Sequence, residues 1–328
     1  MDGRATWRPQ KYPADFNGIN AAAPAVNWNQ FEVATLWPQV VMNEAHTYPT
    51  ACEFNAFNQA AVKECDALDG VADGLISDPS HCNFDPRRLI GTKIACDGKE
   101  YTISEADAEV VRKIWDGPRD GSGKQLWSGL PIGADFSALT ASTTGADGVT
   151  TGVPFTVPAQ WVATFVEKQP KFDLAHLTSA QFEQIFQQAR TEYDSIIGTS
   201  DPDLSAFRAA GGKLLTWQGD ADQLIPTGGT VDYRNRVDAK LGGTAKVDDF
   251  YRVFLAPGVA HCALTGSNDL TALTAWVEHG QAPDVLRADL TTATGQKVSR
   301  DICRLPFVSR YTGDGDPTSP ASFRCVAP

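Results

Sequence analysis

Between residues 213 and 279 the chain alternates short apolar runs with helical stretches in a way that leaves few folds open. Lys213-Leu214-Leu215-Thr216-Trp217-Gln218 is an apolar strand, and the turn Gly219-Asp220-Ala221-Asp222 follows it. The pattern then predicts a helix over 230–241, closed by Gly242-Gly243, and a second strand, Phe250-Tyr251-Arg252-Val253-Phe254-Leu255. The loop Ala256-Pro257-Gly258-Val259-Ala260-His261-Cys262 leads into a further helix over 270–279, which ends at Gly280. Strand–helix–strand–helix order of this kind is the βαβ unit of a parallel sheet, whose functional residues sit at the carboxyl ends of the strands.

One strand here is followed by an acid and the next by a histidine. These match the last two members of a Ser…Asp…His triad in the chain order of an α/β-hydrolase. The chemistry explains the arrangement. The histidine shuttles a proton between nucleophile and leaving group, while the carboxylate fixes its tautomer and stabilises the imidazolium. The candidates are Asp222 and His261; Asp220 is set aside because it sits in the tight turn beside Gly219. A capping aspartate and a packed histidine would leave the same two letters, so the pair calls for a second signal. The other histidines, at 46, 81, 176 and 279, are read as structural, with His279 compensating the dipole in a last helical turn.

A second concentration of chemistry lies at Cys65-Asp66-Ala67-Leu68-Asp69-Gly70-Val71-Ala72-Asp73-Gly74-Leu75, where three carboxylates fall within eight residues. Like charges this close repel unless a cation lies between them. Calcium takes carboxylate and backbone carbonyl oxygens, and Gly70 and Gly74 let the backbone turn so that carbonyls point inward. The spacing is not that of an EF-hand. A structural calcium loop is the favoured reading; an acidic surface turn is the other.

A length of 328 residues suits two domains, or one large domain with an insertion. No stretch approaches the roughly 18 apolar residues of a membrane span. A net charge of −12 argues against a nucleic-acid partner and suits a protein holding a divalent cation. The seven cysteines show no paired C-x-x-C zinc pattern, so disulfides in an exported protein explain them better. Seven is odd, and Met1 leads directly into Asp2-Gly3-Arg4 with no apolar leader. The chain is therefore expected to be incomplete.

Ahead of residue 203 the texture is less regular. Gly18-Ile19-Asn20-Ala21-Ala22-Ala23-Pro24 reads as a buried strand ended by proline. A helix is expected from Ser104, capped through Asp107, to Trp115, and another from Thr178, capped through Gln181, to Arg190. Gly121-Ser122-Gly123 reads as a turn, and nothing repeats.

Three segments together, CDALDGVADGLISDP, GDADQLIPTGGTVDYRNRV and APGVAHC, resemble the tannase and feruloyl esterase family of α/β-hydrolases. The resemblance runs from about Gln10-Lys11-Tyr12-Pro13-Ala14-Asp15-Phe16 to the C-terminal cysteines. It implies an α/β fold: part of an α/β-hydrolase domain, at 1–26 and 203–328, interrupted by a lid at 27–202 that carries the calcium site. The implied Ca2+ ligands are the side chains of Asp66, Asp69 and Asp73 with backbone oxygens of Val71 and Leu75. Family members carry a nucleophile elbow, C-x-S-x-G-G-R-Q, shortly before the segment that here begins at Gln10. This chain opens about where that elbow should end, and no G-x-S-x-G occurs elsewhere. The expectation is that the serine, its oxyanion donors and the first strands lie upstream, and that the chain as written is inactive.

The resemblance also bears on the cysteines. In the family a disulfide joins the cysteine beside the serine to the one after the histidine, so Cys262 is expected to be unpaired. The remaining six can pair as Cys65–Cys82, Cys303–Cys325 and Cys52–Cys96, although sequence alone does not set connectivity. The implied activity is a serine esterase cleaving small esters of aromatic acids in a secreted or periplasmic setting. Trp115, Trp127, Phe155, Trp161 and Phe165 are candidates for a stacking wall, or simply for the lid's own core. The alternative is an inactive calcium-binding remnant or binding module. The oligomeric state is left open.

Overall fold

The central strand, Lys213–Gly219, is buried along nearly its whole length. This is what a continuous apolar run predicts for a strand covered on both faces. In the computed structural model, which describes residues 4–292 and 294–327, it pairs in parallel with two neighbours. Gly18–Ala22 lies on one side, with Ile19 opposite Leu214. Tyr251–Ala256 lies on the other, with Trp217 opposite Phe254. Residues 1–3, where the end of a nucleophile elbow was expected, fall outside the described residues.

Alternation along the central strand sends successive side chains to two different cores. Leu214 packs with Phe207, Tyr233, Val237 and Phe250, beneath the helices Ser205–Ala209 and Thr227–Leu241. Leu215 and Trp217 pack with Trp276, Leu286 and Ile302, beneath the helix Asp269–His279 and a C-terminal hairpin. Leu214 and Leu215 are both fully buried. Truncating either to alanine should cost about 2–5 kcal/mol.

Several expected boundaries move. The first strand ends at Ala22 rather than Pro24, and the capped helix at Thr178 runs to Ile197 rather than Arg190. The helix expected over 230–241 starts at Thr227, taking Gly228 and Gly229 into its first turn. The reason is close approach. A Cβ at Gly228 would lie 2.5 Å from Ser128 Cβ, and one at Gly229 would lie 2.6 Å from the Trp127 ring. The glycines let the 127–128 segment press against the helix.

The C-terminal strands were not anticipated. Val285–Thr291 pairs antiparallel with Lys297–Cys303, and Val308–Tyr311 with Phe323–Val326. The signal was present, because Val285-Leu286-Arg287-Ala288-Asp289-Leu290 alternates exposed and buried residues. Helices are the main regular structure of residues 23–212, with capping boxes at Thr50, Ser104 and Thr178 as helix starts. The five aromatics named as a stacking wall do not gather into one. They divide between two cores: Trp127 packs in the cluster of Trp161, on which Phe165 stacks at 5.3 Å, while Trp115 and Phe155 pack in another, with Trp115 5.8 Å from Phe136. No described helix is long and apolar enough to cross a membrane.

Candidate active site

The loops that leave the two C-terminal strands are joined before any side chain is considered. The Asp220 amide donates to the Ala256 carbonyl at 2.8 Å, and the Ala221 amide to the Val259 carbonyl at 3.1 Å. Gly219 makes this possible, since a Cβ there would lie 2.0 Å from the Val259 oxygen. Asp222 and His261 are thereby brought into register from distant points in the chain.

Asp222 is fully buried. Its Oδ1 accepts the amides of Leu224 and Ile225 at 2.9 and 2.8 Å, and its Oδ2 lies 3.0 Å from His261 Nδ1. A buried carboxylate is costly unless its lone pairs are met, and here two amides and an imidazole meet them. His261 is held a second time, because its own amide donates to Gln223 Oε1 at 3.0 Å. With Nδ1–H directed at Asp222, Nε2 keeps its lone pair for an incoming proton. Among the described residues the group facing Nε2 is the Cys262 thiol, at 3.4 Å.

Cys262 itself is exposed and unpaired, in a left-handed backbone conformation with φ +54°. Partial burial and the nearby charge of Asp222 push its thiol up from the ordinary value. Next to the Asp222 turn, Leu224 and Ile225 pack with Ala25, Trp28, Phe31 and Trp127. The residues that fix the acid therefore also join a buried apolar cluster, with Trp28 and Trp127 partly buried at its edge. Asp220, the alternative acid, makes no contact of this kind with His261.

The acidic run folds as a tight loop after the helix Ala51–Cys65, with left-handed backbone at Gly70 and Gly74. Asp66 Oδ1 accepts the amides of Asp73 and Gly74 at 3.0 and 2.8 Å. Asp69 accepts the Val71 amide at 3.0 Å and the Ser77 hydroxyl at 2.5 Å. Asp73 accepts the Leu75 amide at 3.1 Å and faces Arg300 Nη2 at 2.6 Å. Burial pushes the carboxyls of Asp69 and Asp73 up, and each also feels a neighbouring aspartate. Among the described residues no three metal-ligating side chains converge as a cage. The donor set nevertheless fits a hard cation in its chemistry: three carboxylates held close, all oxygen, with Arg300 as the visible counter-charge.

The disulfides of the structure are Cys52–Cys96, Cys65–Cys82 and Cys303–Cys325, with Cα separations of 5.8, 5.4 and 5.7 Å. Cys65–Cys82 closes the acidic loop. Gln223 and Arg300 are the site residues that sequence reasoning did not single out. Gln223 was adjacent to a candidate acid, but nothing local marked Arg300, which comes from the C-terminal hairpin.

Comparison with known proteins shows what the chain is similar to. The chain is 45% identical over 326 residues to a probable feruloyl esterase of Arthroderma benhamiae, covering 97% of this chain and 60% of that protein. It is 28% identical over 377 residues to the mono(2-hydroxyethyl) terephthalate hydrolase of Piscinibacter sakaiensis, covering 97% and 61%. Its fold matches the tannin acyl hydrolase of Aspergillus niger with a TM-score of 0.90 at 23% identity, over 99% of this chain and 62% of that one. It matches feruloyl esterase B of Aspergillus oryzae with a TM-score of 0.83 at 26% identity, over 99% and 66%. The chain thus spans about 60% of the length of the relatives it matches. The family model described as tannase and feruloyl esterase matches residues 3–326, and the chain belongs to that family.

Proposed function

We propose that this chain is the acid–base part of a carboxylic ester hydrolase. The observation that carries the reading is the His261–Asp222 contact at 3.0 Å, with Asp222 fully buried and held by two amides. In this reading the nucleophile is a serine from sequence upstream of residue 1. His261 Nε2 takes its proton during acylation and returns it to the leaving alcohol, and Asp222 stabilises the imidazolium. The three-stranded sheet is then part of an α/β-hydrolase sheet, and 27–202 is its lid. Esters of aromatic acids are the proposed substrates, supported by the partly buried Trp28 and Trp127 side chains that pack beside Leu224 and Ile225.

The acidic loop is proposed to hold Ca2+ through Asp66, Asp69 and Asp73 with backbone oxygens of Val71 and Leu75. The support is the crowding of three carboxylates in a partly buried loop. The cation would neutralise them and stiffen the loop; no catalytic step runs through it. Three disulfides suit a secreted or periplasmic setting.

Hydrolysis of a methyl ester of an aromatic acid tests the reading. Residues 1–328 alone should be inactive, and the polypeptide extended by its in-frame upstream sequence should be active and lose activity on His261→Ala. Serine-dependent turnover by residues 1–328 alone would refute the upstream nucleophile. Undiminished turnover by the His261→Ala form of the extended protein would refute the catalytic assignment. The observation that favours a second reading, a non-catalytic binding module, is that His261 Nε2 faces a thiol here. An upstream sequence without C-x-S-x-G-G would decide for it.

A further inference from the structure

Asp220 has no part in the reaction described above. It follows the central strand and is 3% exposed, and its carboxyl has no hydrogen-bond or ion-pair partner among the described residues. Burial, with the charge of Asp78 added, holds that carboxyl well above the usual carboxylate range. An unpartnered buried acid is expensive, and a structure that keeps one invites a ligand to complete it.

The residue lines a cavity of about 690 Å³. It is open to solvent on one side and bordered by residues 77–82, residues 128–132, the Thr227–Leu241 helix and residues 302–309. Much of the wall is apolar, from Trp115, Leu130, Ile132, Leu255 and Phe307. Its carboxylates are Asp78, Asp220 and Asp232, and no lysine or arginine lines it. Asp78 accepts the Ser80 hydroxyl and faces His81 Nδ1 at 2.5 Å, while Asp232 pairs with Arg236 at 2.8 Å. Asp220 is therefore the lining acid left without a counter-charge among the described residues. Ser128 Oγ and Trp115 Nε1 on the same walls are also buried without partners. Neither Asp222 nor His261 lines the cavity.

We propose that this cavity binds a small organic cation, a primary ammonium carried on an apolar stem, with Asp220 as its counter-ion. The ammonium supplies donors to a carboxylate that has none, and Asp220 gives up its proton to solvent as the cation enters. The stem packs on the apolar wall that Trp115, Leu130 and Ile132 help to build. A metal ion is disfavoured here, because Asp78 and Asp232 are already engaged by His81 and Arg236 and much of the remaining wall is apolar.

Benzylammonium chloride is the probe, with benzyl alcohol as its neutral counterpart, followed by calorimetry or by chemical-shift titration. The chain should bind benzylammonium saturably and one to one, and should not bind benzyl alcohol. Asp220→Asn should weaken binding roughly tenfold or more, the loss expected for a charge-assisted pair. That variant removes a buried acid and should melt no lower than the parent. Val231→Trp fills the cavity and keeps the charge, and it too should abolish binding. Absence of saturable binding overturns the proposal. So does equal binding of the alcohol, or binding unchanged in either variant.

Discussion

His261 Nδ1 lies 3.0 Å from Asp222 Oδ2, while the other oxygen of the same carboxylate is anchored by the amides of Leu224 and Ile225. The acid cannot rotate away without leaving the Leu224 amide and the buried Ile225 amide unsatisfied, so the imidazole has one preferred orientation. If hydrolysis is recovered in the polypeptide carrying the proposed upstream segment, Asp222→Asn there should reduce kcat by about four orders of magnitude, through the wrong histidine tautomer. Its melting temperature should change little, since the asparagine oxygen still accepts both amides. A kcat within about tenfold of the parent would remove Asp222 from the mechanism.

Asp222 should also act on the neighbouring thiol. Cys262 is exposed and its pKa is raised by burial and by the Asp222 charge. Under non-reducing conditions iodoacetamide should label Cys262, and its rate should rise with pH through a midpoint above the ordinary thiol value. Asp222→Asn removes the nearby negative charge and should move that midpoint down. Peptide mapping that places the label elsewhere would contradict the pairing of the other cysteines.

The acidic loop yields a prediction on stability. Chelation should lower the melting temperature if the loop holds calcium, because a ligand at 100 times its Kd stabilises by about 2.7 kcal/mol. Asp69→Ala should make the melt insensitive to chelator. Breaking Cys65–Cys82, which spans a sequence separation of 17, should separately cost about 3 kcal/mol. Calorimetry with and without chelator measures both effects, and a parent protein unmoved by chelator would count against calcium.

What could be read along the chain was what depends on neighbours in sequence. The strand-and-turn texture around Leu214 to Asp222 and Tyr251 to His261 located the acid and the histidine, because both sit one turn beyond a buried strand. The capping pairs Ser104 with Asp107 and Thr178 with Gln181 were legible for the same reason. Contacts made across the fold were not. Arg300 reaches Asp73 only because the C-terminal hairpin packs against the acidic loop. The helix starts at Thr227 rather than Thr230 because Trp127 and Ser128 press on two glycines. The five aromatics divide between two cores because packing across the fold, not composition, assigns them.

The last prediction concerns Glu32, on the helix Trp28–Ala34 that packs against Ser179–Ile197. It is 1% exposed, its Oε1 has no hydrogen-bond partner, and burial raises its pKa from 4.5 to about 7. The sign follows from proton binding. Below pH 4.5 the acid is protonated whether the chain is folded or not, and burial carries no ionic penalty. Between there and about pH 7 the unfolded chain releases the proton while the folded one retains it, so stability falls as pH rises. Above pH 7 both states are ionised and the loss is complete. At about 1.4 kcal/mol per pKa unit the full effect is about 3 kcal/mol. Glu32→Gln removes this ionisation, so its stability advantage over the parent should grow by about that amount from acidic to mildly alkaline pH. Urea unfolding of both proteins across that range measures the difference and cancels the other carboxylates. A gap that stays constant with pH would show that Glu32 ionises as freely in the folded chain as in the unfolded one.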